Sequence, residues 1–214
     1  MDDRIKDFPK LKSPFVREVF IYKLKNNKHK VTPIIEKDYE WVFKEPGVKA
    51  VDKLHGTNVC CIFQDGVLHF VDNRKNRLMT SPHISTTMSP SDARILEGII
   101  NAIERKWISK DFTGRIYGEL VGPSINCNLH NLDIHYFVPF DHLKEKCHWK
   151  SWISNAYPKT FESISEWFKT LPSLFTKRMT GKNGMAEGIV FYHPNGKWMA
   201  KLRRDMFDWY KEEG

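Results

Sequence analysis

Apolar and polar residues alternate along several short segments of the chain, which is the pattern of half-buried β-strands. Asp-Gly in QDG (64–66) and Asn-Gly in PNG (194–196) are hairpin signals between neighbouring segments of this kind. The pattern predicts strands over 15–24, 48–54, 58–63, 67–73, 115–122, 135–141, 187–194 and 197–203.

Two other segments carry apolar residues at helical spacing. The first, SPSDARILEGIINAIERKW (89–107), opens with Ser89 and Asp92 at the spacing of a capping box. The second, SISEWFKTL (163–171), ends directly before a proline. Strands dominate, so the sequence predicts an α+β fold with antiparallel sheets flanked by helices. No linker interrupts 30–205, and we expect one domain over 1–214 with an N-terminal extension over 1–30.

The composition and charge of the chain indicate which binding partners and which cellular compartment to expect. The chain has 214 residues, is 41% apolar and carries a net charge of +8, which favours a polyanion such as nucleic acid or a phosphate-rich substrate. It opens with no secretory signal and has no apolar run near the roughly 18 residues of a membrane span. Adjacent Cys60 and Cys61 in a strand-like segment indicate reduced core thiols rather than disulfides. We therefore expect a cytoplasmic protein with no membrane partner.

Five charged residues lie in or at the ends of predicted strands and could converge on one cleft: Lys53, Glu119, Glu187, Lys201 and Arg203. A lysine that attacks a nucleotide α-phosphate must be neutral, and nearby cations or burial lower its pKa. Two further cations would neutralise phosphoryl oxygens, and two carboxylates would hold ribose hydroxyls and a hard divalent metal. The set therefore suits nucleotidyl transfer.

Four motifs occur in order along the chain: KLHGTN at Lys53, YGEL at Glu119, EGIVF at Glu187 and AKLRR at Lys201. Together they resemble the covalent nucleotidyltransferase superfamily of ligases and capping enzymes over roughly residues 45–207. KLHGTN is similar to the RNA ligase 2 branch, which includes the phage enzyme and the kinetoplastid RNA-editing ligases. DNA ligases and capping enzymes usually have aspartate where this chain has His55.

The resemblance implies a nucleotidyltransferase domain of the ATP-grasp-like ligase type and a role for each matching residue. Lys53 would carry AMP through a phosphoramidate bond, with His55 near the phosphates and Asn58 near a metal-bound water network. Glu119 would contact the ribose, and Glu187 would serve metal and ribose, which makes Glu187 and Glu119 the metal candidates.

The remaining matches imply further nucleotide contacts. In DNRKNRL (72–78), either Arg74 or Arg77 would contact the ribose and the RNA end. In YFVPFDHL, an aromatic ring would stack on adenine, and Phe140 is favoured over Phe137. Lys201 and Arg203 would hold the α-phosphate. The family usually has Lys-x-Lys at that site, so Arg203 is a departure that keeps the charge and adds a planar fork.

The resemblance also implies the reaction. ATP would adenylylate the lysine, the AMP would move to an RNA 5′-phosphate, and a 3′-OH would then displace it, with Mg²⁺ or Mn²⁺ as the metal. The expected partner is nicked or broken structured RNA, including tRNA. A phage or virus genome is among the expected sources of the protein. Two alternatives stay open: a minimal DNA ligase or mRNA-capping-type nucleotidyltransferase, and a non-catalytic RNA-binding protein of the same shape.

The end of the sequence and a Cys/His cluster complete the expectations. Relatives usually carry an OB or end-binding domain after the last motif, which eleven residues after Arg203 do not accommodate. We therefore expect either a stand-alone catalytic domain or one that borrows its RNA-binding surface from an accessory subunit. CNLH (127–130) has a spacing found in zinc sites, but packing and RNA-contacting histidines are favoured for the cluster of Cys127, His130, His135, His142, Cys147 and His148.

Overall fold

A computed structural model describes residues 10–20, 28–81, 87–153 and 159–211. Ten strands are present in these ranges: β1 (Phe15–Phe20), β2 (Lys28–Ile35), β3 (Lys49–Lys53), β4 (Thr57–Gln64), β5 (Val67–Asp72), β6 (Arg77–Thr80), β7 (Gly114–Val121), β8 (Tyr136–Pro139), β9 (Gly188–Tyr192) and β10 (Met199–Arg203). Six helices accompany them: α1 (Trp41–Lys44), α2 (Pro90–Glu104), α3 (Phe140–Lys146), α4 (Lys150–Ile153), α5 (Phe161–Thr170) and α6 (Leu174–Thr180).

The chain forms two compact units, and the first contains Leu54–Glu145. Its five strands form an antiparallel sheet in the order β6-β5-β4-β7-β8, which α2 covers on one face. Ser89 and Asp92 exchange backbone and side-chain hydrogen bonds, so the capping box predicted for α2 is present. The buried face of α2 packs with apolar side chains of β4, β5 and β7, and together these residues form the core of the unit.

The second unit contains Lys10–Lys53 and Lys146–Gly214. Its sheets are also antiparallel: a two-stranded sheet of β1 and β2, and a three-stranded sheet in the order β10-β9-β3. The core joins buried aromatic rings, including Trp152, Phe168, Phe191 and Phe207, to the aliphatic side chains of β9 and β10. The α+β class with antiparallel sheets flanked by helices is therefore confirmed.

Several predicted element bounds are wrong. The helix predicted over 163–171 begins at Phe161, because the Thr160 side chain accepts a hydrogen bond from the Ser163 amide and caps it. The strand predicted over 135–141 ends at Pro139, which has no N–H for the ladder, and Phe140 begins α3.

The turns of the chain differ in whether the strands on their two sides pair with each other. The segments around the His-Gly-Thr turn do not pair with each other, since β3 and β4 belong to different sheets. The Asp-Gly turn does form a hairpin between β4 and β5, with positive φ at both Asp65 and Gly66. Residues 21–24 of the first predicted strand lie outside the described residues.

The four cysteines are free thiols, and Cys60, Cys61 and Cys147 are buried, as the sequence predicts for the adjacent pair. Burial raises the pKa of the Cys60 thiol to about 11 and that of the Cys147 thiol to about 12. Among the described residues, the structure has no helix that is long and apolar enough to cross a membrane.

Arg204 directly follows β10 and anchors the end of this strand within the second unit. Its guanidinium donates hydrogen bonds to the carbonyl oxygens of Ala186, Lys169 and Leu171 at 3.2, 3.2 and 3.3 Å. We expect Arg204→Ala to lower the free energy of unfolding by roughly 2–3 kcal/mol, because three carbonyls lose a charged donor. Urea denaturation measures this change. Arg178→Ala, which removes an exposed arginine that donates to the Lys146 carbonyl, is the control and should cost much less.

Candidate active site

Strand pairing in the three-stranded sheet brings three of the predicted site residues onto one face. β9 is the central strand, and both Lys53 on β3 and Arg203 on β10 lie opposite Gly188. Directly opposed residues of an antiparallel sheet point to the same side, and so do residues two apart on one strand. Lys53, Arg203 and Lys201 therefore share a face, and Glu187 directly precedes Gly188 at the same end of the sheet.

The Lys53 amine lies inside this group rather than in bulk solvent. Its Nζ is 2.6 Å from Glu187 Oε2, and the side chains of Lys53 and Glu187 are 21% and 14% exposed. The backbone carbonyl of Glu187 accepts a hydrogen bond from the Arg204 amide, which ties the start of β9 to the end of β10. The Lys53 amine and the Glu187 carboxylate therefore form a half-buried ion pair.

Lys201 is a cation of this group whose surroundings disfavour its positive charge. Burial lowers its pKa, and the positive charges of Arg203 and Lys53 lower it further, while Glu187 opposes the shift. An anion near this face would relieve the repulsion among the three cations. The sheet face is therefore suited to hold a phosphate.

Arg203 has an acidic neighbour in its own segment. Its Nη2 lies 3.0 Å from Asp205 Oδ2. Arg203 Nε and Asp205 Oδ1 are buried atoms for which the described residues offer no hydrogen-bond partner. The Arg203 guanidinium is thus bound to Asp205 through Nη2, and its Nε–H remains a donor that the described residues do not use.

In the first unit, Glu119 and the His55–Gly56 turn are joined. Glu119 is 5% exposed, and its Oε1 accepts a hydrogen bond of 3.2 Å from the Gly56 amide. A side chain at Gly56 would collide with the backbone, since an added Cβ would lie 2.4 Å from the Leu120 carbonyl oxygen. The glycine is therefore required by the close approach of β7. Asn58, which is exposed, pairs with Glu119 across β4 and β7.

Arg74 and Arg77 have different environments. Arg77 donates two hydrogen bonds to the buried Asp72 carboxylate, at 2.8 and 3.2 Å, and its guanidinium lies 3.8 Å from the centre of the Phe70 ring. Arg74 is exposed in the turn where the Asn73 side chain accepts hydrogen bonds from the amides of residues 75 and 76. Arg77 is committed to the sheet, whereas Arg74 presents its charge to solvent.

The two candidate aromatic residues also differ in exposure. Phe137 is fully buried in the core of the first unit, on β8. Phe140 is partly buried at the start of α3. A ring that stacks on a base needs an accessible face, which the fully buried Phe137 lacks.

The Cys/His cluster forms no metal centre in the described part of the chain, which contains no group of three or more His, Cys, Asp or Glu side chains placed to hold an ion. His130 is buried and its Nε2 accepts a hydrogen bond from the His55 amide at 3.0 Å. His135 binds Glu97 through Nδ1 and the Pro123 carbonyl through Nε2. These two histidines therefore serve local structure.

Sequence reasoning missed Asp52, which directly precedes Lys53 and lies on the opposite face of β3. Its Oδ2 accepts hydrogen bonds from Ser173 Oγ at 2.8 Å and from the Phe175 amide at 2.9 Å, at the start of α6. Its Oδ1 is buried with no partner among the described residues, and burial raises the pKa of this carboxyl to about 7. The alternation of β3 was the signal that could have placed Asp52 towards the interior.

The raised pKa of Asp52 predicts a pH dependence of stability. Between its ordinary pKa and about 7 the folded chain binds the proton and the unfolded chain does not, so stability falls as pH rises through this window and is level above it. The slope for one such group is at most about 1.4 kcal/mol per pH unit. From about pH 5 to about pH 7, we expect the free energy of unfolding of the wild type to fall relative to that of Asp52→Asn. Urea titrations of both proteins across this range measure the difference, and a constant difference would contradict the assignment.

Comparison with known proteins gives a family and a set of related folds. A model of the RNA ligase family matches residues 48–211. Among curated proteins, no sequence match is found.

The solved structures that match include variants of an RNA ligase from Naegleria gruberi. An apo form has 18% identity and a TM-score of 0.49, with 92% of this chain and 61% of that chain covered. A form with ATP and Mn has 16% identity and a TM-score of 0.49, covering 92% and 62%. The enzyme with PPi has 17% identity and a TM-score of 0.46, with the same coverage as the apo form. This chain spans about three fifths of the length of those proteins.

Proposed function

The chain belongs to the RNA ligase family, and on this premise we propose that it is an ATP-dependent ligase that joins an RNA 5′-phosphate to an RNA 3′-hydroxyl. The observation that carries the proposal is the shared sheet face of Lys53, Lys201 and Arg203, with the Lys53 amine 2.6 Å from Glu187. A nucleophile, a proton acceptor and two phosphate-binding cations are what lysine adenylylation needs.

In the first step, Lys53 Nζ attacks the α-phosphorus of ATP, a P–N bond forms, and the bond to pyrophosphate breaks. The amine must lose a proton to attack, and Glu187 Oε2 is an acceptor within reach of it. Lys201 and Arg203 neutralise the non-bridging oxygens as negative charge builds on them. Because burial and nearby cations lower the pKa of Lys201, a bound phosphate and protonated Lys201 stabilise each other.

We propose that a further group of residues holds the nucleoside. Glu119 accepts from a ribose hydroxyl, and Phe140 stacks on the adenine ring, since Phe137 is enclosed in the core. Arg74 contacts the ribose and the RNA end, because Arg77 is bound to Asp72. His55 and Asn58 act near the phosphates.

A divalent cation fits this donor set. Mg²⁺ and Mn²⁺ take oxygen ligands, and Mg²⁺ is commonly held by one or two carboxylates with substrate phosphates and water, so no larger protein cage is needed. Glu187 is the carboxylate that would hold it near the transferred phosphate, and Glu119 is the second candidate. When bound, the ion supplies charge neutralisation on the phosphates.

Two further steps complete the ligation. The AMP moves from Lys53 to an RNA 5′-phosphate, and a 3′-OH then attacks that activated end and expels AMP. The net charge of +8 supports a polyanionic substrate, and we propose nicked or broken structured RNA, including tRNA, as that substrate.

Incubation with α-labelled ATP and Mg²⁺ tests this function. We expect a labelled protein and, by mass spectrometry, one AMP on Lys53. Parallel reactions with GTP, and sealing of nicked RNA against nicked DNA, separate an RNA ligase from a capping-type enzyme and a DNA ligase. RNA binding with no adduct and no pyrophosphate release would instead indicate a non-catalytic binding protein.

A further inference from the structure

The turn that follows Lys53 is held at its backbone by side chains from a single loop and the strand before it. The His55 amide donates to His130 Nε2 at 3.0 Å, and the Asn126 side-chain amide donates to the Gly56 carbonyl at 2.6 Å. The Gly56 amide donates to Glu119, as described above. His130 and Asn126 both lie between β7 and β8, in residues 122–135, which we call the bracing loop. Two successive residues of the turn are therefore fixed from outside it.

The bracing loop adopts an unusual backbone. Non-glycine residues seldom take positive φ, yet five residues of this loop do so: Ser124 at 64°, Asn126 at 41°, Cys127 at 54°, Asn128 at 51° and Asn131 at 48°. Such strain persists only where the surroundings over-determine it, and it concentrates at functional sites. Because five residues with positive φ lie in one short loop, other contacts must stabilise their backbone conformation.

That network is present within the loop and at its base. The Asn128 side chain donates to the Leu132 carbonyl and accepts from the Leu132 amide, which closes the tip. At the base, His135 binds Glu97 of α2 and the Pro123 carbonyl. Since α2 packs on the sheet of the same unit, the loop is anchored to a rigid element. It is thus built to hold a fixed shape.

We propose that the bracing loop, through His130 and Asn126, sets the backbone of the His55–Gly56 turn for nucleotidyl transfer. The inference rests on the proposed function and assigns the two residues as positioning residues. His130 must present an unprotonated Nε2 to accept from the His55 amide, so its role is that of a fixed acceptor. Asn126 supplies the matching donor on the next residue. If the backbone of the turn is displaced by about 1 Å, the rate can fall on the order of a hundredfold.

The variants separate positioning from mere folding. His130→Leu removes the acceptor, whereas His130→Gln keeps a side-chain oxygen that can accept near the same place. Asn126→Gly removes the donor at an exposed position and suits the left-handed backbone. Asn131→Gly is the matched control, since Asn131 is also exposed and left-handed in the same loop, and its substitution leaves both contacts to the turn in place.

The readout is single-turnover formation of the AMP adduct on the full chain with Mg²⁺ and varied ATP. We expect His130→Leu and Asn126→Gly to lower the maximal rate constant by about tenfold to a hundredfold, with His130→Gln and Asn131→Gly within about threefold of the wild type. A loss of folded protein alone would lower the amplitude of adduct and leave the rate constant unchanged. If His130→Leu does not fold, the comparison of Asn126→Gly with Asn131→Gly decides.

The possible failures are distinct. Wild-type rate constants in His130→Leu and Asn126→Gly, or equal losses in Asn126→Gly and Asn131→Gly, would overturn the positioning role and leave the proposed function intact. Absence of the adduct in the wild type would overturn the proposed function, and this inference with it.

Discussion

Lys53→Arg is expected to abolish the AMP adduct, with a loss of at least about 10³-fold, although it keeps the positive charge beside Glu187. The guanidinium of arginine is not deprotonated in proteins, so it offers no lone pair to the α-phosphorus. Intact-mass measurement after incubation with ATP and Mg²⁺ detects the adduct. The substitution thereby separates a nucleophile from a structural cation.

Two comparisons guard this result. Lys49→Arg changes a lysine on the same strand and the same face, four residues away, and should leave the adduct at the wild-type level. RNA that already carries AMP on its 5′ end should still be sealed by Lys53→Arg, because that step consumes no lysyl-AMP. An adduct on another residue of Lys53→Arg would refute the assignment of the nucleophile.

Glu187→Gln is expected to lower the rate of adduct formation by about 10²-fold. The amide is close in size to the carboxylate, but it can neither accept the Lys53 proton nor bind a hard cation as well. Single-turnover rates measured against Mg²⁺ concentration should show a lower maximum and a higher metal requirement.

The same substitution predicts a direction for the pH profile. Glu187 opposes the lowering of the Lys201 pKa, so its removal should lower that pKa further. If protonated Lys201 binds the phosphate, the alkaline fall in rate will move to lower pH. Glu166→Gln, at an exposed position on α5, is the matched control and should change neither measurement. A shift towards higher pH would show that Glu187 acts differently.

Local pattern was sufficient for most strands and for the start of α2. The Ser89–Asp92 box and the Asp65–Gly66 turn are determined by neighbouring residues, and both were predictable. Element ends depend on single contacts, as at Thr160 and Pro139, and were misplaced. The partner of each strand depends on residues far away in sequence, so the separate sheets of β3 and β4 could not be inferred from the turn between them.

In the candidate site too, some residues could be predicted from local sequence and others depend on contacts between distant parts of the chain. Lys53, Glu187, Lys201 and Arg203 were identified from the order of their motifs, and the shared opposition to Gly188 supplies the geometry that order alone lacks. Asp52 and Asn126 belong to none of the motifs, and His130 belongs to CNLH, whose spacing gives no sign of a contact with the His55 amide. Their roles arise from contacts across 121, 75 and 70 positions of the chain, which no window of sequence displays.

The second unit is discontinuous: the whole of Leu54–Glu145 is inserted between the strand that carries Lys53 and the strand that carries Lys201. Lys53, the proposed nucleophile, emerges from the ribosome early, but its sheet is incomplete until β10, the last strand among the described residues, has been made. A nascent or truncated chain that stops before Met199 would therefore have Lys53 without Lys201 and Arg203, the cations proposed to bind phosphate. On the proposed mechanism, we expect a chain that is still being synthesised to form no AMP adduct.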